Sequence, residues 1–221
     1  DERCIGAEAL IRWRKDSQVI PPSQFIPIAE DTPMSGLITY WVIEQVNREM
    51  SNWLRANPNV CLTLNVPPEI IGRGGLLHVA KKVGLRDLFP QLVLEITERG
   101  IPDKLGLDGI NSCRDLGIKV ALDDVTLSGS ANLAIFSRAH IDIIKLDRSL
   151  INQITPACPN PLWLQGVTAL FQTGTVRVIA EGVETAQQMV VLKKANILKA
   201  QGFYFSAPIS AEAFFSYFEI Q

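Results

Sequence analysis

Apolar runs rich in β-branched residues recur along the chain, and between them apolar positions fall three and four residues apart. The first pattern is that of buried strands and the second that of a helix packed on one face. Strands are predicted at Ala7 to Trp13, Cys61 to Val66, Leu92 to Thr97, Lys119 to Asp124, Asp142 to Leu146, Arg177 to Ala180 and Gly202 to Phe205. Helices are predicted from Ser35 to about Ala56, and from Pro67-Pro68 to about Gly84 with a break at the Gly72 to Gly75 stretch. Others fit Asp103 to Leu116, Ser130 to Ala139, Pro161 to Thr173, Thr185 to Ala195 and Ala211 to Phe218. Strands alternating with helices are the signature of β/α units and a parallel sheet, and seven such units come close to the eight of a barrel.

At 221 residues, with no linker, low-complexity tract or close repeat, the chain reads as one α/β domain, residues 1–221. Hydrophobic residues at 47% and charged residues at 20% exclude a disordered chain. A formal net charge of −2 argues against a surface built to grip long nucleic acid, so any phosphate ligand must be held locally. No apolar run approaches the ~20 residues of a membrane span, which predicts a domain without membrane contact of its own. Cys4, Cys61, Cys113 and Cys158 form no CxxC pair, so reduced thiols and a cytoplasmic location are expected. His78 and His140 are read as helical residues away from any acidic cluster, not as metal ligands.

The strand ends carry the chemistry. Glu8 lies in the first strand, Asn65 ends the second, and Glu95 and Glu98 stand in and after the third. Asp123 and Asp124 end the fourth, Lys145 and Asp147 the fifth, Glu181 and Glu184 follow the sixth, and Gln201 stands ahead of the seventh. One such carboxylate is ordinary, because it can cap a helix or pair with a lysine. In a parallel β/α barrel, however, the C-terminal strand ends meet on one rim and build the active site.

Brought together with Asn65, the carboxylates of Glu8, Glu95, Asp123, Asp124 and Glu181 would repel one another without cations between them. Oxygen ligands without imidazole or thiolate favour Mg²⁺ or Mn²⁺. Two such ions stabilise the attacking and leaving oxygens of a phosphodiester displaced in line. In a regular strand Asp123 and Asp124 would face opposite ways, so both can serve one site only if that strand end is irregular. Lys145 ends an otherwise apolar strand, where it either positions a water or forms a plain salt bridge. Arg12, four residues after Glu8, shares its face if the strand runs on that far, and would then meet a phosphate oxygen.

These residues resemble the EAL domain, the bacterial module that hydrolyses cyclic di-GMP to linear pGpG. Glu8-Ala9-Leu10 is the tripeptide itself, and Glu8, Leu10 and Arg12 match ExLxR. Asn65 matches the strand-end asparagine, Glu95 to Glu98 the ELTE element, Asp123-Asp124 the double aspartate, and Lys145 with Asp147 the KxD element. Glu181 to Glu184 read EGVE and Gln201-Gly202 the late QG, so the matches run from Gly6 to about Pro208 in order. The resemblance implies a TIM-like (β/α) barrel with two Mg²⁺ or Mn²⁺ ions held by Glu8, Asn65, Glu95, Asp123, Asp124 and Glu181. It implies that Lys145 and Glu181 serve the reacting water and that Leu10, Arg12 and Gln201 meet the ligand. Glu98, Asp147 and Glu184 take supporting roles, and a homodimer is implied.

Two departures qualify the resemblance. The family's DDFGTGYSSL is here DDVTLSGSANL from Asp123 to Leu133, one residue longer, with β-branched Val125 and Thr126 in place of Phe and Gly. The family also has a helix and a strand before its EAL motif, whereas seven residues precede Glu8 here. The expectation is therefore a piece of a longer signalling protein with an upstream sensory or GGDEF-type domain. The alternative to an enzyme is a domain that binds cyclic di-GMP as a receptor, or a regulatory dimerisation module.

Overall fold

The predicted strands form in the computed structural model with one exception, and several short elements appear that the periodicity did not announce. The structure describes residues 3–30, 32–72, 74–97, 104–126, 139–171 and 176–220. In chain order come β1 (Gly6–Ala9), a hairpin of β2 (Trp13–Lys15) and β3 (Gln18–Ile20), α1 (Pro22–Ala29) and α2 (Pro33–Ala56). Then follow β4 (Cys61–Asn65), α3 (Pro68–Ile71), α4 (Gly75–Lys82), a 3₁₀ turn at Arg86–Gln91, β5 (Leu92–Thr97) and α5 (Lys104–Asp115). The rest is β6 (Lys119–Val125), β7 (Ile143–Leu146), α6 (Arg148–Ile151), α7 (Leu162–Phe171), β8 (Arg177–Ala180), α8 (Ala186–Lys194), β9 (Lys199–Ala200) and α9 (Ala211–Ile220). These elements fall into two units, one of Asp1–Ile96, Pro102–Lys119 and Ser210–Gln221, the other of Thr97–Ile101 and Val120–Ile209.

In the first unit β1 pairs in parallel with β4, and β4 with β5. Leu62, Leu64, Leu92, Val93, Leu94 and Ile96 are all buried, as expected of strands covered on both faces. Leu54, fully buried at the end of α2, contributes about 1.5–3 kcal/mol, as an aliphatic side chain removed from water does. The buried Gln91 amide lies within 3.1 Å of the Leu54, Asn57 and Val60 carbonyls and ties the end of α2 to the start of β4. Trp53 on α2 stacks on Phe215, with Phe214 and Phe218 edge-on, which docks α9. Thr32 caps α2, accepting from the Met34 amide, so this helix starts two residues before the predicted Ser35.

In the second unit β6, β7, β8 and β9 pair in parallel in that order. Asp147 caps α6 through the Ser149 amide, and Thr185 with Gln188 forms a capping box on α8. The predicted strand at Gly202 to Phe205 is a correction: the sheet takes Lys199–Ala200 instead, and the aromatic run after it is a turn. Gln201 therefore follows the last strand. The first strand is also shorter than predicted, ending at Ala9, so Arg12 is not on a strand with Glu8. His140 is not helical and stands 3.4 Å from Asp142, a further correction. The predicted break in the Pro67 to Gly84 helix is present, between α3 and α4. The helix predicted at Ser130 to Ala139 lies outside the described residues but for its last position. No helix among the described residues is long and apolar enough to cross a membrane.

Candidate functional site

Register decides which strand-end side chains share a face. In the first unit Glu8 stands beside Thr63, and Asn65 beside Glu95. Because side chains alternate along a strand, Glu8, Asn65 and Glu95 all project from one face of this three-stranded run. The Asn65 amide donates to Glu8 Oε1 at 2.7 Å, and Glu95 is 2% exposed. Leu10 and Arg12 follow β1; both are exposed, and the Arg12 guanidinium donates to the Ile11 carbonyl.

The second unit solves the problem that the adjacent aspartates pose. Leu122 stands beside Ile144 and Val125 beside Leu146, so Asp123 and Asp124 together oppose the single residue Lys145. That is a β-bulge, and it breaks the alternation that would have sent the two carboxylates to opposite faces. Asp124 takes the turn at φ 55°, a left-handed conformation that aspartate tolerates better than most residues. One carboxylate oxygen from each of Asp123, Asp124 and Glu181 then lies within 4.8 Å of the others.

Lys145 sits among them, 1% exposed, with Nζ 2.5 Å from Glu181 Oε1 and 3.5 Å from Asp123 Oδ1. A buried ammonium is tolerable only when paired in this way. The Gln201 amide donates to the same Glu181 oxygen at 2.6 Å. With all three carboxylates ionised and Lys145 protonated the cluster carries two surplus negative charges, which one divalent cation offsets. The all-oxygen donor set suits a hard ion such as Mg²⁺ or Mn²⁺.

Two of the residues expected in supporting roles make local hydrogen bonds. Asp147 spends Oδ1 on the Ser149 amide, and the Glu184 amide donates to Gln188 Oε1 at 2.8 Å. Glu98 lies outside the described residues, as do 127–133, the larger part of the altered loop. Periodicity missed what shapes the Glu181 turn: Gly182 at φ 68° and Gly202 at φ 150°, both close against neighbouring residues. Their signal was the two glycines in EGVE and QG, whose spacing says nothing of what they touch.

The EAL domain profile matches residues 1–208. The cyclic di-GMP phosphodiesterase PdeR of Escherichia coli K12 is 32% identical over 213 residues, which are 94% of this chain and 32% of that protein. The solved PaMucR phosphodiesterase in complex with c-di-GMP superposes with a TM-score of 0.83 at 28% identity, over 95% of this chain and 87% of that one. The EAL enzyme Bd1971, in its form with cAMP and cyclic di-GMP bound, gives 0.86 at 24% identity over 99% of this chain and 61% of that one. The chain spans about a third of the length of the curated relatives it matches. The fold is the TIM-like (β/α) barrel type of these proteins. With the ordered motifs on their strand ends and the profile running over nearly its whole length, the chain belongs to the EAL domain family.

Proposed function

We propose that this chain hydrolyses cyclic di-GMP to linear pGpG with two divalent ions, Mg²⁺ or Mn²⁺, held by Glu8, Asn65, Glu95, Asp123, Asp124 and Glu181. The observation that carries the proposal is the bulge at Asp123-Asp124, which gathers two carboxylates with Glu181 around the buried Lys145. The relatives named as cyclic di-GMP phosphodiesterases support the substrate. Bound divalent ions supply a water of lowered pKa and charge stabilisation on the phosphate.

The chain's own residues do the rest. Lys145 Nζ, held between Glu181 and Asp123, fixes the orientation of both carboxylates and stands ready to hold or pass the proton of the attacking water. Gln201 donates to the same Glu181 oxygen as Lys145, so two donors hold that carboxylate. Leu10 and Arg12 meet the dinucleotide, with Arg12 on a phosphate oxygen. The domain acts in the cytoplasm as a homodimer, with Glu98, Asp147 and Glu184 in supporting roles, inside a longer protein with a sensory or GGDEF-type segment upstream.

A receptor is the second reading, favoured by one observation. Val125, where the family carries Phe, continues the strand past the aspartates; it stands beside Leu146, and its carbonyl accepts from the Asp147 amide at 3.2 Å. Chromatography of cyclic di-GMP incubated with the chain and either metal separates the two. The enzyme releases pGpG; tight binding without product under both metals makes the domain a receptor and ends the phosphodiesterase proposal.

A further inference from the structure

The geometry points to Gly202 as a positioning residue for Glu181, acting through Gln201; this deepens the phosphodiesterase reading and rests on it. Gly202 lies at φ 150°, where a residue with a side chain is strained. A Cβ there would fall 2.8 Å from the Val183 carbonyl carbon and closer still to the Val183 nitrogen and oxygen. Those atoms are backbone, so no rotamer change relieves the clash.

This contact brackets the reacting carboxylate. The Gln201 amide nitrogen donates to the Ala180 carbonyl at 2.8 Å, one residue before Glu181. The Val183 amide donates to the Gln201 carbonyl at 3.0 Å, and the Tyr204 amide to the Val183 carbonyl at 2.9 Å, two residues after it. Residues 201–204 are thus laced to both sides of the Glu181 turn, and the absence of a side chain at Gly202 lets the two backbones meet. On the turn's other side Gly182, at φ 68°, leaves its Cβ space to the stem of Arg148, whose Cβ would stand 2.5 Å away. Held from both sides, the turn presents Glu181 Oε1 to Gln201 Nε2 at 2.6 Å and Lys145 Nζ at 2.5 Å. A side chain at 202 pushes Val183 away, carries Gln201 with it, and breaks the amide contact with Glu181.

A double-mutant cycle tests this on the full chain, using Gly202→Ala, Gln201→Ala and the pair, with kcat, KM for cyclic di-GMP and Mn²⁺ binding by electron paramagnetic resonance. Each single variant is expected to lose about tenfold to a hundredfold in kcat, the scale of one hydrogen bond to a charged group, with KM little changed and Mn²⁺ binding weakened. The pair is expected to be no worse than the poorer single variant, because both act on one contact. Losses that multiply, or Mn²⁺ binding left intact in Gly202→Ala, overturn the assignment. Should that variant not fold, hydrogen exchange on the wild type decides: Mg²⁺ should slow the Val183, Gln201 and Tyr204 amides together, and no slowing overturns the proposal. A wild type without turnover removes the phosphodiesterase reading and this inference with it, whereas turnover with multiplying losses removes this inference alone.

Discussion

The two units carry polar strand ends of different construction. In the first, Glu8, Asn65 and Glu95 sit on strands whose sequences contain no basic residue, and an amide donates to one of the carboxylates. In the second, three carboxylates are gathered around a buried lysine and braced by Gln201. The second cluster brings part of its own counter-charge, one ammonium against three carboxylates, and leaves the remainder to a cation. In the first, an exposed hydrogen bond joins the Asn65 amide to Glu8, and such a bond contributes little to stability by itself. Substitutions around Lys145 should therefore disturb both folding and chemistry, and those at the exposed Glu8–Asn65 contact chemistry almost alone.

Lys145→Ala should separate the units most sharply. Removing one partner of a buried pair leaves uncompensated charge, so urea unfolding without metal should show a loss of about 3–5 kcal/mol. Turnover of cyclic di-GMP should fall about 10²–10⁴-fold. Glu8→Ala should lose turnover as severely yet cost no more than about 1 kcal/mol of stability. Equal stability losses in the two variants would erase the distinction.

Asp124 offers a finer cut within the second unit. Asp124→Asn keeps a residue that accepts the left-handed turn and should change stability by no more than about 0.5 kcal/mol while abolishing most turnover. Asp124→Val should cost a further 1–2 kcal/mol or so, since a β-branched side chain resists that conformation. The difference between the two variants, read from urea midpoints, measures the bulge apart from the charge.

Smaller effects follow from the thiols. Burial pushes the Cys113 thiol of the first unit up to about 11, whereas Cys158 of the second unit is exposed. A disulfide reagent at pH 8 should label Cys158 at once and Cys113 only on unfolding. Early labelling of Cys113 would mean that α5 opens locally.

The slightest effect belongs to the Arg55–Asp87 pair of the first unit, at 2.7 Å. The hydrogen bond from Arg55 holds the Asp87 carboxyl below its ordinary value. Because the folded value is the lower one, this stabilisation is present above the unfolded value and lost as pH falls through the folded value. Asp87→Asn should therefore be marginally less stable than wild type at neutral pH and indistinguishable from it in strong acid. A gap that widens on acidification would contradict the sign.

Most of the parallel strands were legible because burial on both faces writes them as near-continuous apolar runs, as in Leu92–Thr97 and Ile143–Leu146, each interrupted by one charged residue. Elements resting on little burial were not. The β2–β3 hairpin is almost wholly exposed and turns at Asp16 with φ 54°, so no apolar alternation announces it. α1 contains Pro27, which argues locally against a helix. β9 is two residues long, and the aromatic run after it imitates a strand better than Lys199-Ala200 does. At the site, the residue types were readable, and so was the need for an irregular strand end at the two aspartates. The bulge opposite Lys145 and the Gly202 contact were not, since both depend on what a neighbouring segment places alongside.

Whether the second unit's carboxylates hold a cation against the dinucleotide is tested most directly by a crystal soaked with cyclic di-GMP and Ca²⁺. Ca²⁺ often occupies such sites without supporting turnover, which would preserve the intact substrate. The predicted result is Ca²⁺ on oxygens of Asp123, Asp124 and Glu181, with a phosphate of the dinucleotide completing its coordination. Cyclic di-GMP bound with no cation among those three carboxylates would contradict it.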